Sequence, residues 1–110
     1  MFTVTLVYGI SVGIQLAANY VTAVQNIDVF EPAPPGQGIL AMLGMDLVSD
    51  TTVAAGLNAI TRTIVLQTNA QGDALYADAD AVKDATRNIF RSALSVKLPG
   101  QVVAAEPVVV

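Results

Sequence analysis

The sequence predicts a small α+β domain, and three stretches of the chain support that prediction. Residues 2–16 alternate apolar side chains with polar or small ones, as a half-buried strand or hairpin does. Residues 73–96 repeat apolar side chains at helical spacing and place charges on the opposite face. Residues 32–38 contain three prolines and two glycines, which end regular structure. The expected order is an N-terminal strand or hairpin, a proline elbow, a long C-terminal amphipathic helix and an extended tail.

The N-terminal stretch fits two different periods. Residues 2–27 contain no charged side chain, and β-branched residues are frequent at their start, which favours a strand over 2–8 or somewhat beyond. Helical spacing also fits from Ser11 onward, so we expect a helix centred on 17–25 after the strand. The alternative is a mainly α subunit in which residues 10–27 form one long apolar helix. The polar positions that would share one face of that helix are Ser11, Gln15, Asn19, Thr22 and Asn26.

The middle of the chain is predicted to contain two helices and a strand. Residues 38–48 form a second apolar run, which we interpret as a short buried helix. Helix N-cap side chains at 49–52 then predict a helix over 51–61. The β-prone residues 62–68 predict a strand, followed by a turn. The apolar positions that fit the second helix recur at spacings of four, three and four: Val53, Leu57, Ile60 and Ile64.

The domain organisation follows from the proline elbow and the tail. Residues 1–100 are expected to form a single small domain with the elbow at 31–38, and 101–110 an extended apolar arm. An apolar, β-prone tail is expected to dock as an added strand, either on its own domain or on a neighbouring subunit. We favour the neighbour, because strand addition needs an unpaired edge.

The composition indicates an exposed apolar surface. Apolar residues make up 54% of the chain and charged residues only 13%, whereas about 25% is usual for charged residues. A domain of 110 residues has too much surface to bury so large an apolar fraction internally. Exposed apolar area usually marks a partner surface. Copies of the same chain are the simplest partner.

The residue types argue against several functions. Histidine and cysteine are absent, which removes the commonest general base, thiolate nucleophile and metal ligands. The acidic residues Asp78, Asp80 and Asp84 are interpreted as a solvated helix face. The net charge is −4 and the first basic residue is Arg62, so sequence-specific nucleic-acid binding is not expected. We therefore predict no catalytic, cofactor or metal residue and no enzyme; a ligand-binding domain or enzyme built from Asp, Tyr and Lys has no motif to support it.

The sequence thus predicts a non-enzymatic structural subunit that self-assembles through its apolar N-terminal and C-terminal segments. A virion coat or other capsid component, or a filament subunit, has this character, and its partners would be copies of itself and other assembly proteins in a virion or another extracellular assembly. The alternative is a small integral membrane protein anchored by residues 2–27, although Gln15 and Asn19 are costly in lipid. The residues predicted for the subunit interface are Ser11, Gln15, Asn19, Val102, Val103, Val108 and Val109.

Overall fold

Strands and helices are mixed along the whole chain, which confirms the α+β class. The structure is a computed structural model that describes residues 1–13, 16–30, 38–97 and 102–110, with side chains at all of them except 96–97 and 102–105. In chain order, the elements are β1 (Thr3–Ser11), a 3₁₀ turn (Ala17–Asn19), α1 (Val21–Gln25), α2 (Ile39–Leu43), β2 (Met45–Ala54), β3 (Ala59–Thr68), α3 (Ala70–Leu75), α4 (Ala79–Lys97) and β4 (Val102–Val109).

The four strands form one antiparallel sheet with β1 in its interior. The strand order is β2-β3-β1-β4, so β2 and β4 are the two edges. A β-α-β-β-α-β chain with this strand order has the ferredoxin-like, split βαβ topology. That topology is shared by many unrelated functions, so it places the side chains without assigning their role.

The core lies between one face of the sheet and the helices. Every second side chain of β1 and β3 is buried, as the alternation of a strand requires. On the helical side, Phe90 of α4 is fully buried and meets Phe30 edge to face, with ring centroids 6.0 Å apart. The core side chains contributed by the two central strands are Val4, Leu6, Tyr8, Ile10, Ile60, Ile64 and Leu66.

The N-terminal strand is confirmed, and the long N-terminal helix is wrong. The strand β1 continues to Ser11 and pairs with β3 on one side and β4 on the other. Pairing on both sides stabilises the strand conformation of this segment. The helix predicted around residues 17–25 is divided into the 3₁₀ turn and the five-residue α1. Among the described residues, no helix is long and apolar enough to cross a bilayer.

The helix predicted over residues 51–61 is also wrong. Residues 45–54 and 59–68 instead form a hairpin, β2 and β3, whose turn includes Gly56 with φ of 90°. The β-branched residues that dominate this segment lose side-chain freedom in a helix and pack well in a sheet. The strand predicted over 62–68 is confirmed, and so is a short buried helix within 38–48, where α2 spans five residues.

The long C-terminal helix is confirmed only in part. Its predicted first turn is a separate helix, α3, which Asn69 caps by accepting N–H bonds from Gln71 and Gly72 where a turn was predicted. Tyr76 is extended and ends α3. A second cap, in which the Asp78 carboxylate accepts from the N–H of Ala81 at 2.9 Å, then starts α4. Two N-caps therefore divide what the apolar period presents as one helix.

The apolar tail forms the edge strand β4 and pairs with β1 of its own chain. Val109 lies opposite Val4 and Val108 opposite Thr5, and Thr3 and Val110 exchange backbone bonds of 3.0 and 2.9 Å. The expectation that the tail docks on a neighbouring subunit is therefore wrong, because β1 itself offers the unpaired edge. The predicted elbow falls mostly on residues 31–37, which lie outside the described residues.

Candidate functional site

The face of the sheet turned away from the helices is covered by none of the residues that the structure describes, and we call it the open face. Residues directly opposite one another in an antiparallel pair point to the same face. The register therefore extends rows across all four strands: Ser49, Val65, Thr5 and Val108 form one row, and Thr51, Thr63, Val7 and Glu106 form the next. None of these eight side chains is buried.

The open face is rich in valine and threonine and nearly free of charge. Val7 lies near its middle and is 39% exposed, while Val53 on β2 and Val108 on β4 are 58% and 61% exposed. Its described acidic side chains, Asp46 and Glu106, lie on the two edge strands. An uncharged centre with a charged rim is the pattern of a protein interface.

The β4 edge of the sheet carries a feature that opposes strand addition. Thr3 and Val110 form a hydrogen-bonded pair, and bonded and non-bonded pairs alternate along an antiparallel ladder. The backbone groups of Val108 therefore face β1, and the nitrogen of Pro107 points away from it. Proline has no N–H to offer a further strand, and edge prolines are a common protection against sheet-to-sheet aggregation. The register shift between Tyr8 and Ile10 disrupts the same edge further.

A buried arginine lies on the other face, beneath α1. The Arg62 side chain is 2% exposed, and its Nε and Nη2 donate to the two carboxylate oxygens of Asp50 at 2.8 and 2.7 Å. Its Nη1 donates to the Tyr8 hydroxyl at 3.0 Å and to the carbonyls of Val24 and Ile27 at 3.3 and 2.7 Å. The guanidinium thus ties together three strands and the C-terminal end of α1.

The polar side-chain atoms of the Arg62 cluster are hydrogen-bonded within the domain. Among the described residues, no buried side-chain nitrogen or oxygen lacks a hydrogen-bond partner. Burial alone would lower the pKa of Arg62, but its bonds to Asp50 and Tyr8 outweigh burial and raise that pKa above the ordinary value. The guanidinium therefore stays charged, and its bonds hold β1, β2, β3 and the end of α1 together.

Sequence reasoning missed this network. Arg62 was placed at the start of a strand, but its burial was not predicted. The available signal was its position: Ile60, Arg62, Ile64 and Leu66 alternate along β3, so the arginine occupies an inward place in an apolar series. A charge in such a place requires a buried partner.

The Tyr8 phenol provides a test of the network by its titration. Burial raises the pKa of Tyr8, while the neighbouring Arg62 acts in the opposite direction. The unfolded chain ionises this phenol near its ordinary pKa, whereas the folded chain holds the proton, so the contribution of Tyr8 is present below about pH 10 and is lost as the pH rises. We expect the free energy of unfolding of the parent chain and of Tyr8→Phe to converge over the pH range above about 10 in urea titrations. A difference that stays constant over this range would contradict the assignment.

The predicted interface residues fall at several different places. Ser11 and Val108 lie on the open face, Asn19 is exposed in the 3₁₀ turn, and Val109 is half-buried against the core. The side-chain positions of the other three lie outside the described part of the structure: Gln15, Val102 and Val103. Ser11 and Asn19 belong to different elements, so the predicted polar stripe does not form one helix face. That these residues form an interface stays a prediction.

The acidic residues that lead into α4 have ordinary partners. Asp78 caps the helix, and Asp84 accepts from Arg87 at 3.0 Å. In the described part of the chain, no group of three or more acidic side chains is arranged to hold a metal ion.

Comparisons with known proteins add little to these observations. No protein-family model matches the chain, and no curated protein matches it. Among solved structures, protein Atu4242 from Agrobacterium tumefaciens, a target of the Northeast Structural Genomics Consortium, aligns with all of this chain and 91% of its own, with 17% identity and a TM-score of 0.44. A likeness this weak supports no conclusion about fold or function, so the residues of the chain itself have to carry the functional argument.

Proposed function

We propose that the chain is a non-enzymatic structural subunit that associates with a second copy of itself through the open face. The observation that carries the proposal is the valine- and threonine-rich surface, uncharged at its centre, that continues across all four strands. A sheet that packs helices against one face and leaves the other face bare commonly acquires its second layer from a partner. The buried Arg62 network, whose guanidinium bonds three strands and α1, supports a structural role for that residue.

The size of the open face suits a pair of identical subunits. Four strands about 4.8 Å apart and about nine residues long give a face of roughly 19 by 30 Å, or roughly 570 Å² in projection. Side-chain relief makes the accessible area larger than the projection, which brings it near the roughly 800 Å² per partner of a standard interface. A face that is complementary to itself about a two-fold axis needs no other chain, as in most homodimers.

The N-terminal and C-terminal segments, through which the sequence predicts assembly, both contribute strands to the open face. The N-terminal stretch supplies β1 and the tail supplies β4, and the two lie side by side, so Val7 and Val108 belong to one surface. Association would therefore bury a face formed within each subunit instead of exchanging arms between subunits. Larger virion, capsid or filament assemblies, and a membrane role, stay predictions.

Placing a charge at the centre of the open face tests the proposal. We expect Val7→Lys to raise the dissociation constant of the pair roughly 100-fold, because a lysine in a desolvated interface would face its own copy across the two-fold axis. Sedimentation velocity over a concentration series measures this change. The particle sizes seen for the parent chain also show whether assembly continues beyond a pair.

The matched control for Val7→Lys is Leu75→Lys. Leu75 is 57% exposed on α3, so it is an equally apolar surface residue off the sheet. We expect Leu75→Lys to leave the dissociation constant unchanged. A parent chain that is monomeric at high concentration, or a Val7→Lys variant that associates like the parent, would refute the proposal.

A further inference from the structure

The outer edge of β2 can be identified from one hairpin bond. The N–H of Ala55 donates to the carbonyl of Ala59 at 2.8 Å, which makes this pair a bonded one. Bonded and non-bonded pairs alternate along an antiparallel ladder. The backbone groups of Thr51 therefore face β3, whereas those of Thr52 and Asp50 point to the free edge.

One side chain of α1 covers the centre of this edge. The amide Nε2 of Gln25 donates to the outward carbonyl of Asp50 at 3.2 Å. The Oε1 of the same amide accepts a hydrogen bond from the Thr52 hydroxyl. The side chain thus occupies a backbone acceptor that a further strand would otherwise use, and α1 packs beside β2.

The hold of α1 on the sheet is mostly polar. The helix has five residues and buries only Val24, so apolar burial contributes little to its attachment. Its end is fixed by Arg62, which binds the carbonyls of Val24 and Ile27. A helix of this length has almost no stability of its own, and elements with few apolar contacts open before the rest of a domain does. Displacement of α1 therefore costs less than unfolding.

The strand beneath α1 is well suited to pair with another strand. β2 is ten residues long, and three of its large apolar side chains are exposed: Leu47, Val48 and Val53. Pairing two copies of β2 in an antiparallel way would satisfy the outward backbone groups and bring these side chains into cross-strand contact.

We infer that α1 is a removable edge cover, whose displacement lets β2 pair with β2 of a second copy. The sheet then continues across two chains through its edge, independently of any association through the open face. At the other edge, Pro107 turns its nitrogen outward and offers no N–H to a further strand.

The first test removes the amide of Gln25. Gln25→Ala loses both bonds at the edge, and we expect the N–H groups of Val24 and Asn26, which bond within α1, to exchange with solvent about tenfold faster. Amides of β3 should keep their protection, which shows that the domain is folded. The matched control is Gln71→Ala, because Gln71 also donates its amide to a backbone carbonyl, that of Ala41, but away from the sheet edge.

The second test identifies the surface that associates. On a Val7→Lys background, Gln25→Ala should form pairs in sedimentation velocity at least about tenfold more tightly than Val7→Lys alone. Adding Thr52→Pro, which removes an outward N–H, should abolish those pairs. If Gln25→Ala unfolds, as loss of β3 protection would reveal, Gln25→Asn replaces it, since the shorter amide cannot reach both partners.

Three results would overturn the inference: unchanged exchange in α1, no gain in association, or pairs that survive Thr52→Pro. The open-face proposal is tested separately, by the association of the parent chain and of the Val7→Lys variant. If the chain associates through the edge of β2 but not through the open face, the inference about α1 holds and the proposed function is refuted.

Discussion

Replacing Arg62 with alanine is expected to destabilise the domain by about 3–5 kcal/mol, as the loss of one partner from a buried ion pair does. The variant leaves the Asp50 carboxylate, whose side chain is 12% exposed, without its counter-charge. It also removes the Arg62 donor from the carbonyl of Ile27, and one of the donors from the carbonyl of Val24, which keeps the N–H of Ile27. Urea unfolding at neutral pH measures the change as a lower midpoint at constant slope.

Arg87 provides a matched control for this prediction. Its guanidinium also meets two carboxylates, Asp84 at 3.0 Å and Glu106 at 3.3 Å, but both partners are mostly exposed to solvent. We expect Arg87→Ala to cost less than about 1 kcal/mol, the usual range for surface ion pairs. If the two alanine variants are equally stable, the buried network does not hold the sheet to α1.

A double replacement separates the ion pair from the space that it fills. Arg62→Met with Asp50→Leu removes both charges and keeps apolar volume beneath α1. We expect it to be more stable than Arg62→Ala by roughly 1–4 kcal/mol, because no uncompensated charge remains. A double variant as unstable as Arg62→Ala would mean that the bonds to α1, rather than the stranded carboxylate, carry the cost.

Replacing Gly72 with alanine is expected to cost about 3 kcal/mol or more, at the upper end of the usual range for overpacked sites. A Cβ at Gly72 would collide with the carbonyl oxygen of Gly44 and lie 3.2 Å from Cβ of Thr68. The contact is with backbone, so no rotamer change can relieve it, and α3 would have to move away from the turn between α2 and β2. Thermal and urea unfolding both report the loss.

Gly56→Ala is the control for the glycine prediction. Gly56 has φ of 90° in the hairpin turn, and an added Cβ meets nothing within 4 Å. This variant isolates the backbone strain of an L-residue in that conformation, about 1–2 kcal/mol. A Gly72→Ala variant more stable than Gly56→Ala would show that α3 adjusts at little cost.

The local sequence pattern was sufficient to predict an element where the period of its apolar residues matched its burial in the fold. The alternation of Phe2, Val4 and Leu6 predicted β1, and the charged face around Asp84 and Arg87 predicted most of α4. It failed where two patterns overlapped. Val53, Leu57 and Ile60 fit a helix, yet the first lies on β2, the second in the turn and the third on β3. Arg62 obscured the strand alternation of β3, because a charged residue stands where an apolar one is expected.

The sequence alone determined the α+β class, the first strand, the strand at 62–68, most of α4 and the excess of apolar surface, because each depends on residues close together in the chain. Tertiary structure decided the partner of each strand, and with it the pairing of the tail with β1, the composition of the open face and the burial of Arg62. Pairs such as Thr5 with Val108 and Arg62 with Tyr8 join residues far apart in sequence. Their free energy depends on the packed arrangement of the whole sheet, which no local period contains.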